Sequence, residues 1–136
     1  MKRIRTFIDA SLLIAAARGN QEISDRALEV FDDPGCAFVT SDFVCLEVLP
    51  KAVFHGQHDE VHFYRTFFAR AKRTVKASST LVAQAEREAE QAGLSAVDAL
   101  HVAAAKKATC HELITAEKPD KPLFRVVGLN VKSIRS

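Results

Sequence analysis

The fold is decided by one stretch of sequence, Gly93-Leu94-Ser95-Ala96-Val97-Asp98-Ala99-Leu100-His101-Val102-Ala103-Ala104-Ala105. Ser95 is a typical helix N-cap residue, and the positions from 96 to 108 are apolar on nearly every side of the helix that follows. A helix with this pattern is buried on most sides by other elements of the fold. One carboxylate, Asp98, stands near the beginning of this otherwise apolar helix and therefore calls for an explanation.

Short apolar strands and helices of about 10–15 residues alternate along the rest of the chain. Strands are predicted at 3–8, 36–40, 74–77, 112–115 and 124–127. Helices are predicted at 10–17 after Asp9, at 22–31, from Ser41 to a kink or end near Pro50, at 58–72, 80–91 and 96–108. The alternation predicts a three-layer α/β/α sandwich with a central, mostly parallel sheet. The length predicts a single domain over 1–136.

Composition excludes several classes of protein. Nearly half of the residues are apolar and the net charge is only +2, as in an ordinary soluble protein. The three cysteines lack metal-site spacing, and no apolar run is long enough to span a bilayer. We therefore expect a reduced, cytoplasmic protein without a membrane segment. Basic clusters at 2–5, 70–76, 106–107 and 118–125 suit either solvated faces or contacts with RNA phosphates.

Four carboxylates lie where a strand should end or a helix should begin. They are Asp9, Glu47, Asp98 and Glu117. A buried carboxylate without a partner is costly, so a shared divalent cation is the simplest common explanation. In open α/β sheets the functional site lies beyond the carboxyl ends of the strands, and all four side chains can face that rim.

Each carboxylate also has a purely structural interpretation. Asp9 can cap a helix, Glu47 can pair with Lys51 one turn later, and Asp98 can complete a cap with Ser95. Glu117 can be a solvated loop residue, and Asp120 can take its place in the site. The histidines form no metal-binding set, although His101 can orient Asp98 or contact RNA. The absence of a nucleophile elbow and of a glycine-rich phosphate loop excludes serine hydrolases, P-loop enzymes and dinucleotide binders.

The order and context of the four acids resemble the PIN domain, and in particular the VapC-type toxins of bacterial toxin–antitoxin pairs. The resemblance covers essentially the whole chain. It is carried by four stretches, which are 7–11 (Phe-Ile-Asp-Ala-Ser), 40–47 with Thr40-Ser41 and Leu46-Glu47, 93–105, and 113–117 (Leu-Ile-Thr-Ala-Glu). The fourth acidic position is usually Asp in this family, whereas this chain has Glu117.

The resemblance implies an endoribonuclease that depends on Mg²⁺ or Mn²⁺. It implies that Asp9 and Asp98 are direct metal ligands and that Glu47 and Glu117 hold coordinated water or a second ion. The supporting residues would be Ser11, Thr115 and Asp120. It further implies an RNA substrate, an antitoxin partner and a homodimer, for which the apolar faces of helices 22–31 and 58–72 are candidates. The alternative is a non-catalytic RNA- or protein-binding module with a degenerate site.

Overall fold

A computed structural model describes residues 3–136 of the chain, so Lys2 of the first basic cluster lies outside the described residues. The elements follow in the order β1 (Ile4–Ile8), α1 (Ala10–Arg18), α2 (Gln21–Phe31), β2 (Cys36–Ser41), α3 (Asp42–Phe54), α4 (His58–Arg70), β3 (Arg73–Val75), α5 (Ser79–Ala92), α6 (Ala96–Lys107), β4 (Glu112–Thr115), a 3₁₀ helix (Pro122–Arg125) and β5 (Asn130–Ser133). Strands and helices alternate as the sequence predicts.

The five strands form one sheet in the order β3-β2-β1-β4-β5, and every neighbouring pair is parallel. From β1 the chain builds outward through β2 to β3, and it then returns to the other side of β1 as β4. The strand order therefore reverses between β1 and β4. At such a point the loops beyond the carboxyl ends of the two strands diverge and leave a crevice for a ligand.

Helices cover both faces of this sheet. The first four helices pack against one another, α5 pairs with α6, and α6 contacts both β2 and β4. Right-handed crossovers place α1–α4 on one face and the α5–α6 pair on the other. The segment from Val102 to Ala105 is fully buried, as its apolar sequence predicts. The predicted three-layer α/β/α sandwich is confirmed.

The helix ends that bear on the site are capped as the sequence predicts. The side chains of Asp9, Ser41 and Ser95 accept hydrogen bonds from backbone amides in the first turns of α1, α3 and α6. Gly93 ends α5 in the left-handed conformation, with φ of 66°. Asp9 and Asp98 therefore stand at the beginnings of helices, where the helix dipole favours a negative charge.

The strand predicted at 124–127 is wrong. Residues Pro122–Arg125 form a 3₁₀ helix, because Pro122 lacks an amide hydrogen and its φ is already suited to a first helical turn. The chain then turns at Gly128, which has a positive φ, before the fifth strand begins at Asn130. This edge strand alternates between exposed and half-buried residues, so no apolar run marks it in the sequence.

A kink or an end of the helix was predicted near Pro50, and the end is wrong, because α3 continues to Phe54. Pro50 is exposed, so water can reach the Leu46 carbonyl that Pro50 leaves without its helical hydrogen bond.

The apolar faces of α2 and α4, which were candidates for a partner, mostly pack into the core. Ile23 and Ala27 of α2 and Tyr64 and Phe67 of α4 are buried. The large apolar side chains exposed on α3 instead are Leu46, Val53 and Phe54. Within residues 3–136, no helix is long and apolar enough to cross a membrane.

Candidate functional site

Asp9 lies immediately after β1 and is only 3% exposed. Its Oδ1 accepts hydrogen bonds from the Leu12 amide at 3.0 Å and from the Ser11 hydroxyl at 2.8 Å. Burial raises the pKa of the Asp9 carboxyl, and hydrogen bonds from Thr115, Leu12 and Ser11 partly offset that rise. Asp9 can cap the helix with one carboxylate oxygen and still bind a cation with the other.

Two hydroxyl groups join the end of β1 to the end of β4. The Oγ of Ser11 lies 2.9 Å from the Oγ1 of Thr115 and accepts a hydrogen bond from the Ala116 amide at 3.0 Å. The Thr115 hydroxyl in turn accepts from the Glu117 amide at 3.1 Å. Ser11 and Thr115 therefore fix the backbone that carries Glu117 relative to the buried carboxylate of Asp9.

Glu47 projects from α3 with 40% of its side chain exposed. Its Oε1 lies 2.7 Å from the Nε2 of His101, which is 2% exposed on α6. The ion pair with Lys51 that the sequence allowed as an alternative is not formed among residues 3–136. Sequence reasoning linked His101 to Asp98 or to RNA. The structure gives His101 a hydrogen bond to Glu47, and His101 also interacts electrostatically with Asp98. The one signal for this contact in the sequence was the presence of a polar residue, His101, inside the otherwise apolar helix α6.

Asp98 is half-buried in the first turn of α6, where its amide donates to Ser95 Oγ at 3.3 Å. Burial raises the pKa of the Asp98 carboxyl, the nearby His101 lowers it, and the negative charge of Glu47 raises it. Asp98 and Glu47 are thus close enough to repel one another, although they lie on different helices and far apart in the sequence.

Glu117 lies in the loop after β4 and interacts electrostatically with all three other acids. Burial raises the pKa of its carboxyl first, and the charges of Asp98, Asp9 and Glu47 add to that rise. Lys121 lowers the same pKa. The structure therefore brings the four acids to one rim of the sheet. Asp120 is exposed and, in the part of the chain that the structure describes, takes no part in these interactions.

The four carboxylates are neighbours, but they do not form a closed metal cage. Among the described residues, 3–136, no group of three or more His, Cys, Asp or Glu side chains converges closely enough to hold an ion. The set nevertheless fits Mg²⁺ by its chemistry. It offers only oxygen donors of like charge, and Mg²⁺ retains several waters, so one or two direct carboxylates suffice.

A cleft of about 470 Å³ opens beside Glu47, between α1, α3 and α4. Its basic lining residues are Arg18, Lys51 and His55. Its lining also contains Glu60, which lies 3.7 Å from Arg18 and accepts a hydrogen bond from the Tyr64 hydroxyl at 2.9 Å. The cleft thus leads away from the acidic rim along a lining of mixed charge.

Comparison with protein families gives a direct match, because the PIN domain model matches residues 6–118. The chain belongs to the PIN domain family. The matched segment contains all four acids, both bridging hydroxyls and the β1–β4 crevice. A search of the curated proteins finds no match.

Solved structures share the fold of this PIN domain at low sequence identity. VapBC2 from Rickettsia felis, bound to a promoter DNA fragment, has 14% identity and a TM-score of 0.69 over 96% of this chain and 98% of the other. A toxin–antitoxin complex from Klebsiella pneumoniae has 23% identity and a TM-score of 0.62, with coverages of 85% and 88%. VapC20 from Mycobacterium tuberculosis, a sarcin–ricin-loop-cleaving toxin, has 18% identity and a TM-score of 0.67, with coverages of 85% and 91%.

Proposed function

We propose that this PIN domain is a Mg²⁺- or Mn²⁺-dependent endoribonuclease and the toxin of a type II toxin–antitoxin pair. The observation that supports the proposal most strongly is that the charges of Asp98, Asp9 and Glu47 each add to the raised pKa of Glu117. These acids come from four separate elements of the sequence and meet where the strand order reverses. Repulsion among clustered carboxylates destabilises the folded protein unless a bound cation offsets it, and such clusters are typical of functional sites.

Asp9 and Asp98 are the proposed direct ligands of the metal ion, and the proposed role of Glu47 and Glu117 is to hold coordinated water or a second ion. When bound, a divalent cation lowers the pKa of its water and neutralises charge that develops on the scissile phosphate. The protein supplies the positions of the carboxylates. Ser11 holds Asp9 directly, and Thr115 fixes the turn that bears Glu117.

The RNA backbone is proposed to approach over the positive residues around the acidic rim. Lys121 lies close enough to Glu117 to lower its pKa, and Arg18 and Lys51 line the cleft beside Glu47. Contacts of this type bind phosphates without reading sequence, so affinity for RNA should fall steeply as salt is raised.

The proposed partners are an antitoxin protein and a second copy of the chain, in the cytoplasm. The K. pneumoniae structure with the same fold is a toxin–antitoxin complex. Exposed apolar side chains on α3, which are Leu46, Val53 and Phe54, are a further reason to expect a protein partner.

Substitution of the proposed ligands tests the nuclease directly. Asp9→Asn and Asp98→Asn should each abolish Mn²⁺-dependent cleavage of RNA while the circular dichroism spectrum stays unchanged, because asparagine at position 9 can still cap α1 and α6 is capped by Ser95. Asp120→Asn is the matched control, since Asp120 is an exposed acid only three residues from Glu117. Cleavage by Asp9→Asn and Asp98→Asn at the rate of the parent protein would refute the proposal.

The alternative is a non-catalytic RNA- or protein-binding module. Two observations favour it, namely Glu117 in place of the usual Asp and the lack of three converging ligands within residues 3–136. Such a module would bind RNA with the same salt dependence in the presence and absence of Mn²⁺ and would leave the RNA intact. Gel-shift and cleavage assays on one labelled RNA pool distinguish the two functions.

A further inference from the structure

His101 is a buried polar residue for which the proposed chemistry provides no role. It is 2% exposed, and the next four residues of α6, from Val102 to Ala105, are apolar and fully buried. An apolar side chain would satisfy packing at this position without the desolvation penalty of an imidazole. The ring therefore requires an explanation beyond packing.

The hydrogen bonds of the ring identify which nitrogen carries the proton. Nε2 lies 2.7 Å from Oε1 of Glu47, whereas Nδ1 is buried and has no partner in the described part of the chain. A hydrogen on Nδ1 would be a buried donor without an acceptor, which is unfavourable. Nε2 therefore carries a proton, and the ring donates to the Glu47 carboxylate.

This hydrogen bond links the two helices that carry the facing acids. Asp98 and His101 are one turn apart on α6, and Glu47 belongs to α3. Glu47 is 40% exposed, so without a partner its carboxylate would sample several rotamers in solvent. Among residues 3–136, the hydrogen bond from His101 is the only one to a Glu47 side-chain oxygen, which leaves Oε2 available to a ligand or to water.

We infer that His101 is a positioning residue that fixes the Glu47 carboxylate beside Asp98 for use at the cation site. The inference rests on the proposed function, and it adds a residue that the four-acid pattern does not contain. Phe7 of β1 supports the orientation of the ring, with the ring centroids 6.1 Å apart. Outer hydrogen bonds of this kind typically contribute 10–100-fold to metal affinity or activity.

Three variants of the full chain test the inference by calorimetric titration with Mn²⁺. His101→Leu fills the space without a donor and should weaken Mn²⁺ binding by about 10- to 100-fold. His101→Gln places an amide donor near the position of Nε2 and should restore binding to within a few fold of the parent. His62→Leu, at an exposed position on α4, is the control and should bind Mn²⁺ as the parent does.

A double-mutant cycle shows whether His101 acts through Glu47. Glu47→Gln should lower Mn²⁺ affinity, and adding His101→Leu to it should cause no further loss, because the carboxylate that His101 positions is already absent. A two-bond ¹H–¹⁵N spectrum of the histidine rings should show the proton on Nε2 of His101. This spectrum is a readout that does not depend on activity or on metal.

Several outcomes would overturn the positioning role alone. These are Mn²⁺ binding by His101→Leu as tight as that of the parent, equal losses in His101→Leu and His101→Gln, additive losses in the double variant, or a His101 ring with no proton on Nε2. If His101→Leu does not fold, the ring spectrum and the comparison of His101→Gln with the parent decide the question. Failure of the parent itself to bind Mn²⁺ would instead overturn the proposed function of the site.

Discussion

Asp9 combines an observed role in the fold with a proposed role in the site. Its Oδ1 caps α1 through the Leu12 amide and also accepts from Ser11, while burial raises the pKa of the carboxyl. The sequence predicted the cap and the possible cation role together. The hydroxyl bridge between Ser11 and Thr115 depends on β1 and β4 being neighbours, so only the structure could show it.

The raised pKa of Glu117 predicts a dependence of stability on pH. An acid whose pKa is higher in the folded than in the unfolded protein stabilises the fold at low pH, and this contribution is lost as pH rises through the folded pKa. Glu117→Gln should therefore raise the free energy of unfolding of the metal-free protein at pH 7 by about 0.5–2 kcal/mol. The difference should vanish below the usual value of 4.5.

Urea denaturation between pH 4 and pH 8 measures this effect, and Asp120→Asn serves as the control. The exposed Asp120 carboxylate lies near Glu117 in sequence but apart from the other acids, so its replacement should leave the curve unchanged. A loss of stability in Glu117→Gln at neutral pH would show that the carboxylate is stabilised by its neighbours rather than repelled by them.

At the scale of elements, the turn between α5 and α6 sets the position of Asp98. Gly93 ends α5 with φ of 66°, and a Cβ at this position would lie 3.0 Å from Nη1 of Arg125. Arg125 donates from that nitrogen to the Ala92 carbonyl at 3.2 Å. The turn is therefore held by a residue of the 3₁₀ helix, an element that the sequence had predicted as a strand.

Gly93→Ala should destabilise the protein by about 1 kcal/mol through backbone strain alone, and by more through displacement of Arg125. Gly56→Ala is a matched control, because Gly56 has a φ of +64° and open space around the position of a Cβ. The difference between the two variants in urea denaturation measures the contact with Arg125. Equal losses would show that the guanidinium moves away without cost.

The end of the chain also holds the turn that carries Glu117. The Ile134 amide donates to the Thr115 carbonyl at 3.0 Å. The Arg135 guanidinium donates to the Ala116 carbonyl, and the Ser133 hydroxyl donates to the Glu117 carbonyl. The position of the fourth acid therefore depends on β5, which pairs with β4 at the edge of the sheet. Sequence analysis placed the last strand at 124–127, too early in the chain, and therefore could not show that the position of Glu117 depends on β5.

At the scale of the whole molecule, the acidic rim predicts that divalent cations stabilise the fold. A ligand that binds only the folded state adds about 2.7 kcal/mol at a concentration 100 times its Kd. Mn²⁺ or Mg²⁺ should therefore raise the thermal midpoint in a saturable way, and EDTA should reverse the shift. Asp98→Asn should show little or no shift, and an identical shift in that variant would place the cation elsewhere on the protein.

The sequence by itself determined the layered α/β architecture, the helix caps and the identity of the four acids. These features follow from local patterns, namely the spacing of apolar residues and the chemistry of residues at helix ends. Only the tertiary structure decided which side chains meet. The contacts of Glu47 with His101 and of Ser11 with Thr115 join residues 54 and 104 positions apart. They arise from the order of strands and the packing of helices, which no local pattern encodes.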